Sequence, residues 1–355
     1  MIRKLLWSVL VLLVLAAGTV MLFQRQIGET LFAQVAANRV GSGGLQLAEG
    51  LHLVLCGTGS PLPNPDRAGP CNLVIAGGQS FVVDIGEGGA RNLNRIGFDI
   101  GSLDGVLLTH FHSDHIDGMG PLALFHWTQG SAKAPLPLHG PHGVERVAEG
   151  FNAAYALDHA YRVAHHGPKV VPPTGGGLQA IPFTIDENPV VVLERDGLKI
   201  TAFLVDHDPV RPTVGYRFDY KGRSIVISGD TARTASMERA AKGADILVHD
   251  ALQPKLVATL TDALAKGGQA NTAQITRDIL DYHASPEDAA MSAQVAGVKR
   301  LVLSHLVPPI PNAFFYPAFL GDAGKNFDGK ITVGEDGMVF SLVPKSDAIE
   351  LDYRL

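Results

Sequence analysis

The most informative part of the sequence is Thr109-His110-Phe111-His112-Ser113-Asp114-His115. It directly follows the apolar segment Val106-Leu107-Leu108. It places three imidazoles and one carboxylate within six positions. Imidazole nitrogens and carboxylate oxygens are ordinary ligands of zinc and of neighbouring transition metals. Four such groups in one loop can serve two ions. The sequence therefore predicts a metal site immediately after a buried strand.

Three more potential ligands follow predicted strands elsewhere in the chain. His207 comes after a strand at 198–205, Asp230 after one at 224–228, and His305 after one at 301–303. Functional side chains commonly lie at the carboxyl ends of strands in layered α/β folds. A lone histidine at a strand end is more often a satisfied surface or core residue. It is the combination with the His-rich loop that indicates a ligand set.

The H-x-H-x-D-H run resembles the signature of the metallo-β-lactamase superfamily of hydrolases. Further segments resemble elements of its ribonuclease Z and arylsulfatase-type branch, namely residues 57–61 (GTGSP), 140–143 (GPHG), 215–217 (GYR) and 249–251 (HDA). The last has Asp250 in place of a glutamate, and His283-Ala284-Ser285 resembles another element only loosely. The resemblance covers about residues 51–345. It implies a four-layer αββα sandwich with the metals at one edge between two sheets.

The resemblance also implies a dinuclear site whose ligands divide between two ions. The first zinc would be held by His110, His112 and His207, the second by Asp114, His115 and His305, and both by a bridging Asp230. Two Zn²⁺ ions are the expected cofactors, and Mn²⁺ or Fe²⁺ fits the same ligands. Positions left open to water would make these ions catalytic rather than structural.

Roles for four residues beside the metals follow from the same resemblance. Asp114 would also take a proton from a metal-bridging hydroxide that attacks the substrate. His249 would face the scissile ester, where it would stabilise negative charge or protonate the leaving group, and Asp250 would hold its tautomer. Asp84 would orient a ligand from behind.

The region 128–195 is rich in Pro and Gly and is expected to be mostly loop. Transfer-RNA-processing relatives have a protruding basic arm, whereas residues 151–194 contain only Arg162 and Lys169 as cations. A smaller substrate pocket is therefore expected, with a solvated loop as the alternative. Its candidate lining residues are Tyr155, Tyr161, Arg162, His165 and His166.

The N-terminus carries a different signal. Residues 5–23 are apolar except for Ser8 and Thr19, and Arg3 and Lys4 precede them. Such a run is near the minimum length of a transmembrane helix, and the leading cations predict that the rest of the chain lies outside. We expect a signal anchor at 1–25, a linker at 26–50 and a hydrolase domain at 51–355. The domain would be tethered to the inner membrane in the periplasm, or secreted there if the signal is cleaved near Ala16-Ala17-Gly18.

Composition bounds the remaining choices. The chain has 355 residues, 46% of them hydrophobic, with a net charge of -6. Nucleic-acid binders usually present a basic face, so a nucleic-acid partner is disfavoured. The two cysteines, Cys56 and Cys71, can form a disulfide in an exported protein or remain buried thiols.

These observations favour a dinuclear zinc hydrolase that cleaves phosphodiesters or aryl sulfate esters of small or medium size. The alternative is a ribonuclease Z-type endoribonuclease that processes the 3′ end of tRNA, and a lactonase or β-lactamase ranks third. A membrane protein that holds metal without catalysis is disfavoured by the open coordination positions. A homodimer is expected only from the family resemblance.

Overall fold

The computed structural model describes residues 2–41 and 44–355. It divides into two compact units, one ending at Gln46 and the other beginning at Leu47. Each is described by itself.

The first unit consists mainly of one long helix, α1 (Ile2–Gly41). Its segment Ile2–Asn38 is long and apolar enough to cross a membrane, and its most apolar 18-residue window has a mean hydropathy of 2.6 with no buried residues. A cleaved signal sequence would meet the same criteria of length and composition. The helix continues past residue 25 through the first part of the expected linker, and the boundary between anchor and linker stays a prediction. Good helix formers fill residues 26–37, and Arg25 pairs with Glu29 one turn later at 2.9 Å. The linker residues Ser42 and Gly43 lie outside the described part of the chain.

The second unit is built on two sheets. The first has eight strands in the order β15-β14-β1-β2-β3-β4-β5-β6. These strands are β1 (Leu51–Gly57), β2 (Cys71–Ala76), β3 (Gln79–Ile85), β4 (Gly105–Leu107), β5 (Leu136–Pro141), β6 (Leu178–Phe183), β14 (Met338–Leu342) and β15 (Glu350–Tyr353). The strands from β3 to β6 are parallel, and the others pair antiparallel.

The second sheet has seven strands in the order β13-β12-β11-β10-β9-β8-β7. They are β7 (Val190–Arg195), β8 (Leu198–Leu204), β9 (Val214–Tyr220), β10 (Arg223–Ile227), β11 (Ile246–Leu252), β12 (Arg300–Val307) and β13 (Lys330–Val333). The strands from β10 to β13 are parallel, whereas β7, β8, β9 and β10 pair antiparallel in turn. Two successive antiparallel pairings give β8 the same direction as β10. The carboxyl ends of β8, β10, β11 and β12 therefore share one edge of the sheet.

The two sheets pack face to face around one apolar core. Leu53 and Phe81 of the first sheet belong to the same buried cluster as Phe218 and Val248 of the second. Alternate residues of each strand point inward, so a strand contributes every second side chain to this layer.

Helices cover the outer faces and complete the expected αββα sandwich. They are α2 (Gly89–Ile96), α3 (Ser113–Ile116), α4 (Met119–Gly130), α5 (Val144–His166), α6 (Ala235–Ala240), α7 (Pro254–Lys266), α8 (Ala270–Asp278), α9 (Pro286–Ala296), α10 (Tyr316–Leu320) and α11 (Ala323–Asn326). On the second sheet, Ala289 and Ala293 of α9 pack with Leu247 and Leu301. On the first sheet, α2 contacts β1, and α4 contacts β5.

The expectation that residues 128–195 are mostly loop is wrong. This region contains β5, β6, β7 and the 23-residue helix α5. Only Val144 and Ala148 of α5 are buried, so the helix has no continuous apolar stripe that its sequence could reveal. Cys56 of β1 and Cys71 of β2 are joined by a disulfide, with Cα atoms 5.0 Å apart.

Candidate functional site

The His-rich loop follows β4 and leads into the short helix α3. Asp84 of β3 anchors it by accepting hydrogen bonds from the backbone N–H of Thr109 at 2.8 Å and from the Thr109 hydroxyl at 2.7 Å. His115 Nδ1 lies 2.8 Å from the same carboxylate. This contact assigns the proton to Nδ1 and leaves His115 Nε2 free to bind a ligand. Asp84 thus lies where the sequence predicted a residue that orients a metal ligand.

Two residues of the site have a left-handed backbone. The φ angle is +55° at Asp84 and +47° at His305. Residues other than glycine rarely adopt this conformation, and it concentrates at functional sites where the surroundings enforce it. Both residues lie in strands beside the loop, so the strain is local to this site.

The structure brings the predicted ligands of the first ion together. His112 Nδ1 lies 3.0 Å from His110 Nε2 and 3.4 Å from His207 Nε2. His207 is held from behind by a contact of its Nδ1 with the carbonyl oxygen of Tyr282 at 3.0 Å. Three imidazole nitrogens therefore converge on one point, with His207 presented from the end of β8.

The predicted ligands of the second ion converge beside the first group. Asp114 Oδ2 lies 3.5 Å from His115 Nε2 and 3.2 Å from His305 Nε2. His305 comes from β12, and the other two residues come from α3. The ligand atoms of this trio lie within 4.8 Å of one another.

Asp230 lies between the two groups. Its Oδ2 atom is 3.9 Å from the Nε2 atoms of both His110 and His207. It is 3.3 Å from the Nε2 atoms of both His115 and His305. A single carboxylate within reach of both sets of imidazoles is in the position of a bridging ligand.

The residues fit a divalent cation. Among the described residues, the buried atoms His115 Nε2 and Asp230 Oδ1 have no hydrogen-bond partner. An unsatisfied buried polar group costs about 1–3 kcal/mol, so such atoms in a native site call for a ligand. A donor set of imidazoles and carboxylates suits zinc, manganese or iron.

The electrostatics favour the metal-binding protonation states of His110 and Asp230. Burial, followed by the nearby His115, lowers the pKa of His110 well below its usual value. Burial alone would raise the pKa of Asp230, but His305 and His115 outweigh it and hold this pKa well below its usual range. His110 is therefore neutral and Asp230 ionised at neutral pH, which are the forms that coordinate a cation. Burial would lower the pKa values of His115 and His305, but Asp230 and other nearby carboxylates raise them, so a cation must displace protons from these two rings.

A cavity of about 220 Å³ opens onto these residues. It is lined by His112, Asp114, Asp230 and His305, and also by His283. The ring of His283 stacks on His305 with centroids 5.3 Å apart. The cavity therefore brings a possible substrate into contact with both ligand groups and with one further histidine.

No role was predicted for His283 from the sequence. Its Nδ1 lies 2.9 Å from Asp250 Oδ2, and one of its ring nitrogens is within 4.8 Å of the ligand atoms of Asp230 and His305. His283 lies in the loop before α9, far from any strand end. The only signal that could have found it was its loose resemblance to a family element.

His249 does not occupy the position expected for it. Its side chain is fully buried and is absent from the lining of the cavity. Its Nδ1 lies 3.0 Å from Asp250 Oδ1. Successive residues of a strand point to opposite faces, so Asp250 can reach the site while its neighbour on β11 cannot. The expectation that His249 faces the substrate is corrected in favour of His283, which also uses Asp250.

The five expected substrate-binding residues lie on α5 and do not line this cavity. Tyr161 is 66% exposed, and Arg162 is paired with Asp158 at 2.7 Å. His165 and His166 contact each other at the end of the helix, and Tyr155 lines a separate, very small cavity with His159. Their assignment to a pocket at the metal site is therefore wrong.

Comparisons with known proteins identify the family of the chain. A family model described as a beta-lactamase superfamily domain matches residues 82–306. A ribonuclease Z from Mycobacterium bovis is 39% identical over 288 residues, which cover 81% of this chain and 96% of the relative. A ribonuclease Z from Mycobacterium marinum is 37% identical over 289 residues, with coverages of 81% and 96%.

Solved structures show the same fold. The short form of human tRNase Z superposes with a TM-score of 0.58 at 22% identity, covering 82% of this chain and 99% of that one. The metallo-β-lactamase fold protein YhfI from Bacillus subtilis gives a TM-score of 0.57 at 21% identity, with coverages of 82% and 99%. The chain is therefore a metal-dependent hydrolase of the metallo-β-lactamase superfamily, and within it the chain belongs to the ribonuclease Z family.

Proposed function

We propose that this chain hydrolyses phosphodiester bonds with two divalent cations, zinc in the first place, as an endoribonuclease of ribonuclease Z type. The observation that carries the proposal is the position of Asp230 Oδ2, within 3.9 Å of imidazoles from both ligand groups. A carboxylate shared in this way supports a pair of ions rather than one ion.

The bound ions would supply Lewis-acid activation of a phosphoryl oxygen and of water. Asp114 lines the cavity and can accept the proton of the attacking water, because its carboxylate lies beside the Nε2 atoms of His115 and His305. His283 can donate a proton to the leaving oxygen. Asp250 holds the Nδ1 proton of this imidazole and so directs its other nitrogen to the cavity.

The names of the relatives favour one of the two substrate classes considered from the sequence. The curated relatives are named ribonuclease Z, and a fold neighbour is a tRNase Z. These names favour precursor tRNA over the small phosphodiester or aryl sulfate that we expected first. A nucleic-acid substrate, which the net charge disfavoured, thus becomes the leading candidate. The net charge of -6 does not oppose it, because a protein of this charge can still have a local basic patch.

A smaller phosphodiester is the second candidate. The observation in its favour is α5, a helix in the region without a basic arm, which carries only Arg146 and Arg162 as Lys or Arg residues. Arg162 is already paired with Asp158. The disulfide and the candidate membrane span favour this second candidate too. They support a hydrolase domain that is anchored to the inner membrane and lies in the periplasm, whereas precursor tRNA is cytoplasmic.

Cleavage of two substrates tests the proposal. The full chain in lipid nanodiscs is loaded with zinc and given precursor tRNA with a 3′ trailer or bis(p-nitrophenyl) phosphate. We expect kcat/KM for the RNA to exceed that for the small ester by about 100-fold or more, because remote contacts add to transition-state binding. A chelator should abolish both activities. Turnover of the small ester without cleavage of RNA would reject the ribonuclease and support the second candidate.

Location is tested separately. A reporter that is active only in the periplasm is fused after Leu355 and expressed in a Gram-negative host. We expect the reporter to be active. An inactive reporter would reject the proposed topology.

A further inference from the structure

An apolar groove lies next to the catalytic cavity and is not used by the proposed chemistry. It has a volume of about 620 Å³, within the usual range for sites that bind small molecules. One wall is formed by Leu256, Leu260 and Leu264 of α7, and the other by the segment that follows β12, including Ile310. None of the described residues that line it is Asp, Glu, Lys, Arg or His.

Two of the three leucines of α7, Leu260 and Leu264, do not belong to the core clusters of the described residues, whereas Leu256 packs partly against one of them. Leu256, Leu260 and Leu264 recur at every fourth position and are half-buried, whereas Val257 and Thr261 point into the protein. Positions four apart lie on one helix face, so α7 carries a second apolar stripe beside its buried one. Phe315, itself 39% exposed, extends the same surface.

The groove is continuous with the metal-side cavity. Leu62 lines both spaces. Val307 lines the cavity, and the next residue, Pro308, lines the groove. On α8, Thr272 lines the groove and Ile275, about one turn later, lines the cavity. A ligand whose phosphoryl group is beside Asp230 therefore has a path into the groove for any chain attached to it.

Because the two spaces share lining residues, we propose that the groove binds an alkyl or acyl group carried by the phosphodiester substrate. The protein would then also hydrolyse lipophilic phosphodiesters. The inference rests on the proposed phosphodiester hydrolysis. Water forms the new P–O bond, the bond to the leaving alcohol breaks, and that alcohol takes up a proton. An RNA backbone would find no cation in this groove to offset its charge, whereas a hydrocarbon chain gains by leaving water. The candidate membrane span in the same chain points in the same direction.

The test uses a series of p-nitrophenyl phosphodiesters that differ only in the second ester group, which is methyl, butyl or hexyl. The full chain is held in phosphatidylcholine nanodiscs with zinc. Full burial of one methylene group should raise kcat/KM about fourfold. In a groove that is open on one side, we expect kcat/KM to rise about twofold per methylene group. The hexyl to methyl ratio of kcat/KM should therefore be about 30-fold.

The variant Leu260→Glu should reduce this ratio to less than about fivefold, because it places a carboxylate in the groove. Ala265→Glu is the matched control, since Ala265 is exposed on the same helix but does not line the groove, and its ratio should equal that of the wild type. Each ratio is measured within one preparation, so partial unfolding does not change it. A wild-type ratio near one would overturn the inference while leaving phosphodiester hydrolysis in place.

Calorimetric titration gives a readout that does not depend on turnover. Hexyl phosphate should bind the wild type at least about tenfold more tightly than methyl phosphate, and Leu260→Glu should remove the difference. If the methyl ester is not hydrolysed but this difference persists, the proposed function fails and the groove remains. Equal affinities of the two phosphates would overturn the inference.

Discussion

His283 Nδ1 lies 2.9 Å from Asp250 Oδ2, at the edge of a cavity whose other walls carry metal ligands. The carboxylate is fully buried, and burial would raise its pKa. Hydrogen bonds with His249 and His283 outweigh burial and lower this pKa. Asp250 is therefore ionised and holds the His283 ring in one orientation, as an orienting carboxylate does for a catalytic imidazole. This arrangement supports the proposed role of His283 in proton transfer, and metal binding by His283 is the alternative.

The first prediction concerns this pair. His283→Ala should lower kcat by about 10²–10⁴-fold, because general acid catalysis contributes rate enhancement of that order. Zinc content, measured by plasma mass spectrometry, should stay at the wild-type level. His142→Ala changes an exposed histidine on the same domain and serves as the control. Loss of zinc in the His283 variant would show that this residue is a ligand instead.

Asp230 provides the second prediction. Asp230→Asn should lower the metal content from two ions per chain to one or fewer, because the bridge loses its charge. Asp262→Asn removes an exposed carboxylate from α7 and should leave both ions bound. If the Asp230 variant retains two ions with unchanged affinity, the bridging role is wrong.

The third prediction follows from the contacts of Asp84. Asp84→Asn keeps the shape of the side chain but weakens the acceptor for His115 Nδ1 and Thr109. Such orienting partners are worth about 10–100-fold in metal affinity. We expect zinc affinity, measured by competition with a chromophoric chelator, to fall by that factor. Asp99→Asn, on a turn outside the site, should bind zinc as the wild type does.

The fourth prediction concerns stability away from the site. Burial would raise the pKa of Asp245, but hydrogen bonds from Arg223 at 3.0 Å and Lys299 at 2.9 Å, with one from Ser224, lower it below 3.8. A carboxylate with a depressed folded-state pKa stabilises the protein above its unfolded pKa of about 4 and loses this effect as pH falls through the folded value.

Asp245→Asn should therefore lower the free energy of unfolding by about 1–3 kcal/mol at pH 6, and by much less at pH 3. Urea denaturation followed by circular dichroism measures both values. Asp347→Asn is the control, because Asp347 also pairs with Lys299 but is 95% exposed. A deficit that stays the same at pH 3 would mean that the ion pair is not its cause.

The candidate metal ligands, which the fold brings together, could be found in the sequence because their pattern is local in form. Each ligand follows a short apolar strand, and the ends of β8, β10 and β12 meet at one edge once the sheet forms. The start of α9 was equally readable: Ser285 accepts a hydrogen bond from the backbone N–H of Asp288, and Pro286 occupies the first turn.

The failures have physical causes as well. The helix α5 buries only two residues, so its sequence lacks the periodic apolar face by which helices are recognised. His249 and His283 could not be ranked from sequence, because Asp250 contacts both and only the fold decides which imidazole reaches the cavity. The groove beside α7 was invisible for a related reason, since its other wall comes from the distant segment after β12.

Anomalous diffraction at the zinc edge, from crystals of the zinc-loaded full chain, would show directly whether two ions lie on either side of Asp230. We predict two peaks roughly 3.5–4 Å apart, one beside His110, His112 and His207 and the other beside His115 and His305, with Asp230 between them. A single peak, or peaks away from Asp230, would contradict a dinuclear centre built from these residues.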